Sequence, residues 1–183
     1  MTPAESHARW AGVFTERVQD VPPDRWDAPS PVEGWRARDV VRHLVEWFPA
    51  FLASGAGVRL PPVPSVDDDP VAAWTVHRDS VQELLDDPGT ADLVLRNPHT
   101  GEVPLPEAVE RFYTADVFMH TWDLARATGQ DDTLDPEKVR ELYEGMKPME
   151  DVLRASGQFG GHVDVPEDAD LQTKLLALIG RRA

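Results

Sequence analysis

The chain contains no cysteine. Disulfides, thiolate metal ligands and a cysteine nucleophile are therefore excluded, and any thiol chemistry must use a thiol from outside. Basic residues are scarce as well: 18 Lys and Arg stand against 33 Asp and Glu, a net charge of −15. Nucleic acid, whose phosphates need a basic surface, does not fit such a chain, and neither do anionic membrane surfaces. No apolar run approaches the roughly 20 residues of a membrane helix. The opening stretch MTPAESHARW lacks the apolar core of a signal peptide. The expectation is a cytoplasmic protein. Neither GxGxxG nor a Gly-Lys-Ser/Thr phosphate loop occurs, which excludes nucleotide binding by those routes.

With 183 residues, 41% hydrophobic and 28% charged, the chain is expected to form one globular domain over 1–183, large enough for its own core. Helical periodicity dominates. Trp10, Val13, Phe14 and Val18 mark a first helix over about 4–19. A connector rich in proline follows and contains Pro-Ser-Pro-Val-Glu-Gly-Trp. Val40, Val41, Leu44, Trp47, Phe48, Phe51 and Leu52 mark a second helix over about 36–54, with Pro49 expected to kink or end it locally. Asp69-Pro70 opens a third, to about Leu85. Residues 92–105 read as a short hairpin or extended excursion turning at Asn97–Gly101. A fourth helix over about 106–128 stops at Gly129, a fifth covers about 135–155, and a short one about 168–180. The prediction is all-α: a four-helix bundle with a short β excursion and a short C-terminal helix.

Two of these helices carry the chemistry. The second holds His43 in GWRARDVVRHLVEWF, and the fourth holds Asp116 and His120 in RFYTADVFMHTWDLA. Asp116 and His120 are four apart, so they stack on one helix face. If His43 faces them, two imidazoles and a carboxylate surround one point and leave open positions on a divalent metal. Spacing alone equally allows buried histidines with Asp116 as their acceptor. Asp123 reads either as the acceptor that orients a ligand histidine or as a partner of Arg126 or Arg38. Asp39 and Glu46 flank His43 and could add a carboxylate, though a solvated helix face suits them better. Trp35, Trp47 and Trp122 read as core or pocket wall. Gly34 is expected to permit a turn before the second helix, and Ser30 to serve a turn rather than act as a nucleophile. His7, His77, His99 and His162 lack ligand-spaced partners and read as surface or loop residues. The run Asp67–Asp69 is helix-start chemistry, since it lacks EF-hand spacing.

SPVEGWRARDVVRHLVEW resembles the opening helix motif of the DinB-like superfamily. It is most similar to the N-terminal domain of mycothiol-dependent maleylpyruvate isomerase and its actinobacterial relatives. VFMHTWDLARATGQ resembles the second signature of that group, and FGGHVDVPEDADLQTKLLALIGRR the tail of single-domain members. The resemblance implies a DinB-like bundle with His43, Asp116 and His120 as metal ligands. Asp116 stands where the isomerase has a glutamate, one methylene longer. The isomerase also has a further C-terminal domain, so its own reaction is not carried over.

Neutral histidine and carboxylate suit Zn²⁺, with Ni²⁺, Fe²⁺ or Mn²⁺ as alternatives. A metal so held can lower the pKa of bound water towards about 7, or hold an exogenous thiol as thiolate. The resemblance favours the second. It implies a low-molecular-weight thiol cosubstrate of the mycothiol type, an electrophilic small molecule, and thiol transfer or thiol-assisted isomerisation. The competing expectation is a metal-binding stress or regulatory module without catalysis. A metal-free bundle is a third. A homodimer is expected in each case.

Overall fold

The computed structural model describes every residue except 99, 100, 156, 158 and 162. Two compact units divide the chain, Met1–Asp131 and Asp132–Ala183.

The first unit is a four-helix bundle. Helix α1 (Pro3–Gln19) starts with a capping box in which Thr2 and Glu5 satisfy each other's backbone N–H groups. Helix α2 spans Ala37–Ala56 and α3 spans Pro70–Asp86, the latter capped by the Asp69 side chain on the Ala72 N–H. Strands β1 (Val94–Asn97) and β2 (Gly101–Pro104) form an antiparallel hairpin with Leu95 opposite Val103. The chain then enters a continuous helical rod. It begins as α4 (Leu105–Ala108), widens into a π-helical segment over Val109–Thr114, and continues as α5 (Ala115–Thr128) to Gly129, which is left-handed. Helices α1 and α2 each pack against both α3 and α5. Fully buried Phe14, Leu44, Phe48, Leu52, Trp74, Tyr113 and Leu124 fill the space between them.

Two local expectations resolve here. Helix α2 runs through Pro49 to Ala56. Proline removes only one N–H, that to the Val45 carbonyl, and the buried stripe Val45, Phe48 and Leu52 carries the helix across the loss. The hairpin lies close on the end of that helix: a Cβ at Gly55 would come within 2.9 Å of the Leu95 side chain. His7 and His77 are not surface residues. They are 0% and 1% exposed, because Ser6, His7, Trp10 and Phe14 share the inward stripe of α1 and Trp74, His77 and Val81 that of α3. The expectations for His99 and His162 lie outside the described residues.

In the second unit, α6 (Pro136–Met146) packs against α8 (Leu171–Leu178). The single helix expected over about 135–155 is broken. Residues Lys147–Met149 are 3₁₀, and α7 covers Glu150–Ala155. Pro148 sits in that turn and cannot donate to the preceding one. Among the described residues, no helix is long and apolar enough to cross a membrane.

Burial holds the His77 imidazole far below its usual range, at about 3, with neighbouring His7 adding to the effect. Burial also lowers His7, against the Gln82 hydrogen bond. In the unfolded chain both titrate near 6.5. Below that pH the unfolded state binds more protons, so stability is complete above about pH 7 and falls with pH towards about 3. We expect His77 alone to cost up to about 2 kcal/mol between about pH 7 and pH 5. Urea unfolding midpoints across this window should fall with acid, and the His77→Leu chain should show a flatter slope.

Candidate metal centre

The site forms where α2 meets α5. Helix periodicity puts His43 and Trp47, four apart, on one face of α2, and Asp116 and His120 on the facing side of α5. The structure brings the three residues expected from sequence together: one ligand atom from each of His43, Asp116 and His120 lies within 4.8 Å of the others. His43 Nε2 is 3.2 Å from Asp116 Oδ2, and His120 Nε2 is 3.5 Å from Asp116 Oδ1. The two imidazole rings meet edge to face, 4.9 Å apart.

Two of the three donors are held from behind. His120 Nδ1 lies 2.9 Å from Asp123 Oδ2, and Asp123 is fully buried. An ionised carboxylate can only accept, so Nδ1 carries a proton towards Asp123, and Nε2 is the ring atom turned towards Asp116. Of the partners expected for Asp123, His120 is therefore one that it reaches. Asp116 in turn accepts the Trp47 indole N–H at 3.0 Å. Burial alone would raise the Asp116 carboxyl. The adjacent His120 and His43, with the His43 and Trp47 hydrogen bonds, outweigh it and hold the group below its ordinary value. The Tyr113 hydroxyl moves the other way, pushed well up by burial and then by the Asp116 charge.

The donor set fits a cation. His120 Nε2 and an oxygen of the Asp116 carboxylate face one another across 3.5 Å, a pair of atoms that a cation between them, proton or metal, satisfies together. Among the described residues no other His, Asp or Glu joins the group. Asp39 accepts from Arg36 and Arg42 instead, and Glu46 is an exposed partner of Arg42. The protein thus offers three donors, the number typical of a site with open positions.

Trp35 and Trp47 wall the site. The Trp35 ring lies 5.0 Å from that of His43 and 5.8 Å from that of His120, nearly parallel to the latter. The loop before α2 puts it there. Gly34 is left-handed at φ +78°, Trp35 N–H donates to the Val32 carbonyl, and its own carbonyl accepts from Ser30 N–H. The Ser30 hydroxyl accepts from Val32 N–H, which is the turn role expected of it. Trp122 is core, 1% exposed. Sequence reasoning did not assign Trp47 to Asp116, although its spacing from His43 was the available signal. The π-helical widening that precedes Asp116 had none.

Residues 7–125 match the family described as the mycothiol maleylpyruvate isomerase N-terminal domain, and the chain belongs to that family. It is also similar to two uncharacterized proteins of Mycobacterium tuberculosis, one from strain CDC 1551 / Oshkosh and one from strain H37Rv. Each is 30% identical over 183 residues, covering 99% of this chain and 98% of the relative. No solved structure matches.

Replacing Asp123 by Asn would remove the carboxylate that fixes His120. Partners of this kind are worth about 10- to 100-fold in metal affinity. Competition titrations with a chromophoric chelator should show Zn²⁺ binding weakened by that order in Asp123→Asn. An unchanged affinity would show that Asp123 does not set the His120 tautomer.

Proposed function

We propose that this member of the mycothiol maleylpyruvate isomerase N-terminal domain family holds a divalent cation, zinc foremost, through His43, Asp116 and His120. We further propose that it uses the site in chemistry between a low-molecular-weight thiol and an electrophilic small molecule. The observation that carries this reading is the convergence of three donors within 4.8 Å, with no fourth described protein donor. A bound cation there would supply Lewis acidity and favour the ionised form of a thiol over the neutral one.

The chain's own residues do the rest. Asp123 keeps the His120 proton on Nδ1, away from the reacting side. Trp47 fixes the Asp116 carboxylate through its indole N–H. Trp35 and Trp47 present flat apolar surfaces that exclude water and orient an incoming molecule. The chain has no cysteine, so the sulfur must arrive on a cosubstrate, and the family's mycothiol association supports a thiol of that type. The reaction class is transfer of the thiol to the electrophile, or isomerisation through its reversible addition.

A non-catalytic role is the second reading. His43 lies on α2 and Asp116 and the buried His120 on α5, so a cation held by the three would also tie α2 to α5 and contribute to folding. Stability separates the two readings. Loss of the metal would lower the unfolding midpoint sharply if its role is structural, and little if the bundle stands without it.

Elemental analysis of protein purified without chelator should find close to one metal per chain, lost in both His43→Ala and His120→Ala. The loaded protein should then consume mycothiol in the presence of at least one member of a panel of electrophiles. Metal-free protein that stays so after incubation with Zn²⁺, Ni²⁺, Fe²⁺ and Mn²⁺ would refute the site. Loaded protein inert to every thiol and electrophile pair would leave the binding role alone.

A further inference from the structure

Behind the metal centre, α1, α3 and the π-helical segment enclose a second polar cluster that the proposed chemistry does not use. His7, His77 and Tyr113 are 0%, 1% and 0% exposed. The Tyr113 ring stacks on His7 at 6.0 Å and meets His77 edge to face at 5.4 Å. His7 Nε2, His77 Nε2 and the Tyr113 hydroxyl are all buried without a hydrogen-bonding protein partner, and so are the Ser6 and Thr114 hydroxyls. Buried polar atoms are nearly always satisfied, and several orphans on neighbouring side chains point to a guest.

The donor and acceptor pattern says what kind of guest. The Gln82 amide nitrogen donates to the Ala4 carbonyl and to Asp86. Its oxygen therefore faces His7 Nδ1, 2.8 Å away, and Nδ1 carries the proton. His7 Nε2 is thus a lone pair that needs a donor. The Tyr113 O–H, held protonated by burial, needs an acceptor. An anion cannot serve the first, and among the described residues neither histidine belongs to a convergent trio of metal-ligand donors. A small neutral molecule that both donates and accepts serves both. A groove of about 240 Å³ between α1 and α3, bordered also by Gly12, Arg78 and Gln82, has His7 in its wall.

We propose that His7, His77 and Tyr113 form an internal hydration site, in which ordered water accepts from the Tyr113 hydroxyl and donates to His7 Nε2, with His77 Nε2 as a further contact. The π-helical segment creates it: the widened turn holds Tyr113 and Thr114, both buried, against α1. The site is independent of any metal.

A crystal structure of the unaltered chain, at a resolution that shows ordered water, tests this directly. Solvent density should lie within hydrogen-bonding distance of Tyr113 Oη and of at least one imidazole Nε2. In solution, water–protein cross-relaxation should reach the ring protons of Tyr113 and His77, and should be lost in Tyr113→Phe/His77→Leu. Three results would overturn the proposal: an empty space, a direct hydrogen bond between Tyr113 and a histidine, or density coordinated as a metal.

Discussion

A single carboxylate, Asp116, organises the junction of α2 and α5. Its side chain is 19% exposed, so water screens it only partly and its charge must be answered by the protein. The answer comes from three directions: His43 and Trp47 on one helix, His120 on the other. Each of these is fixed in turn, His120 by Asp123 and the α2 pair by the helix that bears them. The consequence is directional. The oxygens and nitrogens that remain turn towards one point at the edge of the bundle, where an apolar interface of the same size would have no polarity to offer.

The irregular connectors are drawn to the same place by charge. Arg36 and Arg38 both reach Asp27, and Arg38 and Arg42 both reach Asp67. Isolated surface pairs contribute little. Here two acidic residues from two connectors share three arginines, Arg36 at the cap and Arg38 and Arg42 on the first turns of α2, so the pairs act as a network. It holds down the loop that carries Trp35, and Trp35 lies over both imidazoles. The wall of the site is thus tied to the helix that supplies one of its donors.

How far the sequence disclosed all this depends on the range of the signal. Periodic helices such as α1 and α3 were legible to within a residue or two, α1 from the spacing of Trp10, Val13, Phe14 and Val18 and α3 from the local start signal Asp69-Pro70. The pairing of Asp116 with His120 was legible as an i, i+4 relation, and the meeting with His43 through the resemblance of two motifs. Pro49 misleads in isolation, since its cost is local and the burial that overrides it is not. His7 and His77 carry no ligand spacing, and only the packing of α1 against α3 shows that they are interior. The break at Pro148 and the π-helical turn depend on backbone choices that periodicity alone does not encode.

That π-helical turn has an implication for the ancestry of the rod. A π segment accommodates one residue more than the α-helix it interrupts, and each residue in an α-helix advances the facing direction by about 100°. Because the wider turn takes up the extra residue, the end that follows the hairpin and the end that bears Asp116 and His120 keep the facing they would have in an uninterrupted helix. Taking one residue out of Val109–Thr114 would let the helix close into regular turns with both ends facing as they do now. The segment is the form in which a helix absorbs a one-residue insertion without turning its metal-site face away.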